Sequence, residues 1–280
     1  MDVITKINEM RTRVLSVKDR KRSIGLVPTM GALHDGHISL IRSARKENDE
    51  LVVSIYLNPT QFDNNDDFDG YPRQLNEDIE IIRKENADVV FAPSTDEMYP
   101  DGFCTHVTQD KLTDALCGRV RPGHFNGVAT IVTKLFNIIQ PGRAYFGQKD
   151  YQQSAIIKRL VADMNMDIDI LVCPIVRDED GLALSSRNRR LDPDERQNAL
   201  CIHGSLTKAR EMFASNIRDA KEIIEEMTSV IKKTEHTKID YISIVNADTL
   251  EDISSVNGKA LTAVAVWIGN TRLIDNTILE

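Results

Sequence analysis

The stretch Val27-Pro28-Thr29-Met30-Gly31-Ala32-Leu33-His34-Asp35-Gly36-His37 constrains the fold of this 280-residue chain more than any other. Apolar Ile24 to Val27 reads as a short buried strand, and Pro28 and Gly31 break it. Ile38, Leu40, Ile41 and Ala44 then recur at helical spacing. Two histidines three residues apart therefore fall on a strand-to-helix turn. A helix N-terminus offers unpaired backbone N–H groups and the positive end of a dipole, so it attracts phosphate. The imidazoles add donors, and Gly36, lacking a Cβ, lets a flat group approach the backbone. Taken alone, an H-x-G-H string fits equally well a capping histidine beside a surface one.

The rest of the chain continues this alternation. Leu51 to Leu57 is a continuous β-favouring run that stops at Asn58-Pro59, and helical periodicity follows from Gln74 to Glu85. Asp88 to Phe91 reads as a strand, Val128 to Ile139 as a helix, Arg143 to Phe146 as a strand, Tyr151 to Met164 as a helix and Ile168 to Cys173 as a strand. Strands alternating with helices predict a parallel, Rossmann-like α/β sheet with helices on both faces and ligands beyond the carboxyl ends of its strands. Pro174 to Pro193 interrupts the rhythm. Beyond it, helices at Pro193 to Ala214 and Ile217 to Lys233 precede strands at Tyr241 to Val245 and Ala263 to Ile268, which reads as a smaller α+β domain. We place the domains at residues 1–176 and 177–280.

Composition limits the function classes. The 35 basic and 43 acidic residues leave a net charge of −8, which favours solubility and argues against a broad nucleic-acid surface. No apolar run reaches the roughly 18 residues of a membrane span, and Met1 to Lys6 lack an apolar signal core, so a cytoplasmic protein without a membrane partner is expected. Cys104, Cys117, Cys173 and Cys201 form no C-x-x-C pair and read as reduced structural thiols. The charged clusters Lys18 to Arg22 and Asp63 to Asp69 read as solvated surface.

Four further segments carry candidate chemistry. Gln61, in Asn58-Pro59-Thr60-Gln61-Phe62, has an amide that donates and accepts, which suits a ligand bearing hydroxyls and a carboxylate. Arg121 to Val128 opens a helix with an Arg and a His, and alone passes as a capping loop. Gly147-Gln148-Lys149-Asp150 joins a strand to a helix: Lys149 would neutralise phosphate and Asp150 accept from ribose hydroxyls, while a surface ion pair or a helix cap is the plainer reading. Gln153 lies one turn along. In Leu184-Ser185-Ser186-Arg187-Asn188, hydroxyls beside an Arg suit the outer phosphates of a nucleotide, although a Ser-rich linker would look alike.

These five segments occur in order, and P-T-M-G-A-L-H-x-G-H resembles the pantoate–β-alanine ligase family of the nucleotidylyltransferase superfamily. Ser185-Ser186-Arg187 is similar in placement to the mobile K-M-S-K-S loop of class I aminoacyl-tRNA synthetases. The resemblance implies that pantoate is activated by ATP as pantoyl adenylate, then captured by the β-alanine amine to give pantothenate, AMP and pyrophosphate. It implies His34, His37, Lys149 and Arg187 as catalytic residues. ATP contacts would come from Met30, His34, His37, Gly147, Lys149, Asp150, Val176, Leu184, Ser185, Ser186 and Arg187. Pantoate contacts would come from Gln61, Gln153 and Met30. It further implies Mg²⁺, with Asp78 as its protein carboxylate, and a homodimer. Gln74 stands where the resemblance implies a Thr, and the loop Asp63 to Gly70 is unusually acidic. Two rivals are a nucleotidylyltransferase that transfers AMP to a phosphate acceptor and stops, and a nucleotide-sensing scaffold on the same fold.

Overall fold

The computed structural model describes residues 1–62 and 65–280, with side chains at 65 and 66 left out of the description. The first half alternates as expected, with two elements ahead of the predicted start. They are strand β1 (Asp2–Ile4) and helix α1 (Ile7–Asp19), followed by β2 (Ile24–Thr29), α2 (Asp35–Glu47), β3 (Glu50–Ile55), α3 (Asn65–Asp69), α4 (Leu75–Lys84) and β4 (Val89–Phe91). Short helices α5 (Thr95–Met98) and α6 (Leu116–Val120) precede α7 (His124–Ile139), β5 (Arg143–Gly147), α8 (Tyr151–Asp163) and β6 (Asp169–Cys173). The strand before the histidine turn is thus the second of the chain. The three residues of β1 are too few to show a period. In α1 the buried Met10, Val14 and Val17 are spaced for a helix but diluted by Glu9, Arg11, Arg13 and Lys18.

The chain divides into two compact units. One comprises 1–113, 118–147 and 153–174; the other comprises 114–117, 148–152 and 175–280. In the first unit the six strands form one parallel sheet in the order β1-β4-β3-β2-β5-β6. Successive strands run outward one way from β2 to β4 and the other way from β5 to β6, so the winding reverses between β2 and β5. Ligands of such sheets bind in the crevice at that reversal. The register shows why the crevice opens: β2 and β5 pair only at Gly25↔Arg143 and Leu26↔Ala144, whereas β2 stays paired with β3 through Thr29↔Ile55. Pro28, without an N–H to donate, lies in the stretch that β5 leaves unpaired. Beneath, Val27, Leu33, Ile41, Leu51, Val53, Ile82 and Val90 form a core, each at most 1 % exposed.

In the second unit, helices α9 (Pro193–Asn198), α10 (Leu200–Ala214) and α11 (Ala220–Lys232) accompany an antiparallel meander of β7 (Thr237–Asn246), β8 (Ala260–Ile268) and β9 (Thr271–Leu279). Ile202, Leu206, Ile223, Met227 and Ile231 of the helices pack with Val264, Val266 and Ile268. The single helix expected over Pro193 to Ala214 is two. The ladder tightens at Ile202, whose N–H bonds the Ala199 carbonyl, and no glycine or proline marks the break. The helix expected from Ile217 begins at Ala220, where the Asp219 side chain accepts from the Glu222 N–H at 2.9 Å. Strand β9 lies outside the expected set, because buried Asp275 and Asn276 interrupt its apolar alternation.

Candidate active site

After β2 the chain turns sharply, with Gly31 at φ +83° and Ala32 at φ +53°. Asp78, on α4 and 1 % exposed, holds this turn by accepting from the Ala32 and Leu33 N–H groups at 2.8 Å each. Gln74, the residue that departs from the implied Thr, donates to the same carboxylate at 3.3 Å. Tyr71 donates to the Gly31 carbonyl at 3.5 Å. Both Asp78 oxygens are therefore spent on backbone that would otherwise be buried unpaired. In this structure Asp78 shapes the histidine turn. Among the described residues, no three His, Cys, Asp or Glu side chains gather as a cation cage.

The two histidines cap α2 reciprocally. His34 Nδ1 accepts from the Gly36 N–H at 3.1 Å, and His37 Nδ1 accepts from the His34 N–H at 3.4 Å. The rings stack at 4.1 Å between centroids. A nitrogen that accepts carries no proton, so the neutral rings hold theirs on Nε2. The capping box thus fixes two N–H donors at the positive end of α2. Met30 lies at the start of the same turn.

Gln61 sits on a 3₁₀ turn (Pro59–Gln61) after β3 and is 8 % exposed. Its Nε2 donates to Met30 Sδ at 3.0 Å, which brings together two of the residues assigned to pantoate. Its Oε1 accepts from Asn58 Nδ2 at 3.1 Å. Asn58 also donates to the Gly127 carbonyl and accepts from Tyr99 and Thr60. The Gln61 carbonyl accepts from His124 Nδ1 at 2.7 Å and from Arg121 at 3.4 Å. Asn58, Arg121 and His124 thus support Gln61; the sequence offers the Arg and the His as a candidate segment that alone passes as a capping loop, and gives Asn58 no role of its own. Close packing of α7 on this turn requires Gly127, where a Cβ would lie 2.3 Å from the Thr60 carbonyl oxygen. Gln153 is half-buried on α8, and no hydrogen bond joins it to Gln61.

In the second unit, Lys149 is 18 % exposed and lies 3.9 Å from Asp150, a loose ion pair. Val176 and Leu184 are joined by the Leu184 N–H to the Val176 carbonyl at 3.0 Å, closing a hairpin over residues 176–184. Ser185 caps the 3₁₀ helix Ser186–Arg190 by accepting from the Arg187 N–H at 3.2 Å. Lys149 and Ser185 line one small cavity with Asn188 and Asp275. Two segments to which the sequence reading gives phosphate contacts are thereby brought together. Gly147, which ends β5, has open space where a Cβ would stand.

The pantoate–β-alanine ligase family model matches residues 2–278. The pantothenate synthetase of Thermotoga petrophila is 52 % identical over 279 residues, all of each chain, and that of Acetivibrio thermocellus is 52 % identical over 280 residues, again over both full lengths. Among solved structures, pantothenate synthetase from Thermus thermophilus superposes with a TM-score of 0.94 at 39 % identity over 99 % of both chains. Pantoate–β-alanine ligase from Francisella tularensis, complexed with β,γ-ATP and β-alanine, gives 0.83 at 38 % identity, over 99 % of this chain and 97 % of that one. With its histidine turn, buried glutamine and serine-arginine segment each in the fold these relatives share, the chain belongs to the pantoate–β-alanine ligase family.

Proposed function

We propose that the chain carries out its family's ligation with the residues assigned above. The pantoate carboxylate attacks the α-phosphorus of ATP, expelling pyrophosphate and giving pantoyl adenylate. The amine of β-alanine then attacks the acyl carbon, and AMP leaves. Activation is needed because a carboxylate oxygen is a poor leaving group, whereas the adenylate supplies a good one. No protein nucleophile enters; orientation and charge stabilisation do the work.

The observation that carries this reading is the reciprocal His34–His37 cap, which holds both imidazoles at the N-terminus of α2. Their Nε2–H groups would meet phosphate oxygens as negative charge builds. Lys149, Ser185, Ser186 and Arg187 would take the departing pyrophosphate, while Gly147, Asp150, Val176 and Leu184 would take the rest of ATP. Gln61, Gln153 and Met30 would hold pantoate. Asp78 is engaged by backbone, and among the described residues no three His, Cys, Asp or Glu side chains gather, so a metal held by protein groups alone is not part of this reading. Mg²⁺ is read as entering with the triphosphate, largely hydrated, and no step here depends on a protein-bound ion.

Gln61→Ala tests the division of labour. The variant should raise KM for pantoate at least roughly tenfold and leave KM for ATP within about twofold, the pattern of a lost ground-state contact to one substrate. An equal loss of ATP affinity would contradict the assignment. The compartment proposed is the cytoplasm, where the four free cysteines, Cys104 exposed among them, stay reduced. The assembly proposed is a homodimer through β6, the sheet's edge strand, where Ile170 to Cys173 are only half-buried. Sedimentation equilibrium should give twice the 31.5 kDa chain mass, and a concentration-independent monomer would exclude it.

A further inference from the structure

Two neighbouring residues of β9 hold both phosphate-directed segments of the second unit, and neither has a role in the chemistry described so far. Asn276, 3 % exposed, donates both amide hydrogens to consecutive carbonyls, those of Gln148 and Lys149, at 2.9 Å each. Gln148 donates back to Asn276 Oδ1 at 3.4 Å. A side-chain amide with two donors on successive carbonyls fixes the peptide from which the Lys149 side chain springs.

Asp275, equally buried, is bidentate with Arg177 at 2.6 and 2.9 Å. Arg177 also donates to the Gly181 carbonyl at 3.0 Å, so the pair spans the hairpin that delivers Leu184 and Ser185. Asp275 Oδ1 further accepts from the Asn276 N–H at 2.7 Å, which ties the two anchors to each other. Lys149, Ser185, Asn188 and Asp275 then line the same cavity. Asn188 Oδ1 is buried there without a hydrogen-bond partner, although its Nδ2 donates to the Ala183 carbonyl. A buried charged pair and a buried amide are costly to place in a strand unless the geometry they impose is used.

We propose that Asp275 and Asn276 are positioning residues for adenylate formation: β9 sets Lys149 and the Ser185 segment at one fixed spacing for the leaving pyrophosphate. The inference rests on the ligation reading above. If Asn276 acts through Lys149, removing it matters only while Lys149 is present, so the test is a double-mutant cycle on the full-length protein. Pyrophosphate release is followed with ATP, Mg²⁺ and pantoate. Asn276→Ala should lower kcat roughly tenfold, within the loss that ångström-scale misplacement produces, with KM for pantoate changed less than about twofold. In the Lys149→Ala background the same substitution should change kcat by less than about twofold. Folding is checked by thermal melts; should the alanine variant unfold, Asn276→Ser, which keeps one donor, runs the same cycle against the same criteria. An active wild type with Asn276→Ala at full rate, or with the full loss retained without Lys149, overturns the positioning role alone. A wild type that releases no pantoate-dependent pyrophosphate overturns the functional reading and this role with it.

Discussion

On the proposed reading His34 and His37 each serve two ends with one ring. Nδ1 is spent on a backbone N–H, which leaves the proton of the neutral ring on Nε2. Removing either ring costs a cap, about 1 kcal/mol, and in the proposed reaction also a donor to developing phosphate charge. His34→Ala and His37→Ala should therefore lower adenylate formation by roughly 10²-fold or more in single-turnover assays while both variants stay folded; near-normal rates would contradict the assigned role. These histidines were legible in the sequence because a strand, a break and an apolar helical period bracket them. Asp78 was marked by the resemblance as a metal carboxylate and by its pattern only as a polar helix residue. The backbone contact it makes lies 46 residues away in sequence, which no local pattern encodes. The same holds for Asn58 and His124, whose partners at Gly127 and Gln61 lie 69 and 63 positions off.

Among the elements, the hairpin over 176–184 depends on a glycine and a histidine that the sequence did not connect. Gly181, at φ +96°, lies flat on the His203 ring, where a Cβ would come within 2.3 Å of Cδ2. His203 Nδ1 is buried without a hydrogen-bond partner. Burial pushes its pKa below the ordinary 6.5; Arg177 and Arg210 add to that, while Asp275 and Asp180 oppose it. Below pH 6.5 the unfolded chain takes up the proton before the folded one does, so this group's stability is present above 6.5 and is lost as pH falls toward the depressed value. Urea midpoints should consequently fall less between about pH 7.5 and 5 in His203→Gln than in the wild type. An identical drop would remove His203 from the account. Helices and strands with clean periodicity were read within a few residues, α7 and β8 among them. Strand β9 escapes such reading for the reason that makes it interesting: Asp275 and Asn276 occupy positions where a strand of this kind would bury apolar side chains, and they use their polarity on other segments.

For the molecule as a whole, the order of strands carries more of the functional argument than any one motif. The reversal between β2 and β5, and the stop in their pairing after Leu26↔Ala144, place the crevice of the first sheet where the histidine turn begins and where β5 ends at Gly147. Alternating strand and helix patterns announced the parallel sheet, whereas the strand order rests on pairings that sequence periodicity does not express. The interleaving of 114–117 and 148–152 with the C-terminal unit was equally hidden, since compact units are set by tertiary contacts rather than by breaks in composition. The central claim is that the chain makes an adenylate and passes it to an amine. Its most direct test is pyrophosphate and AMP release from the purified protein with ATP, Mg²⁺ and pantoate, with and without β-alanine. The account predicts pantoate-dependent pyrophosphate in both cases, at most about one equivalent per site without the amine, and sustained AMP with amide product only when β-alanine is present. No pantoate-dependent pyrophosphate at all would contradict it.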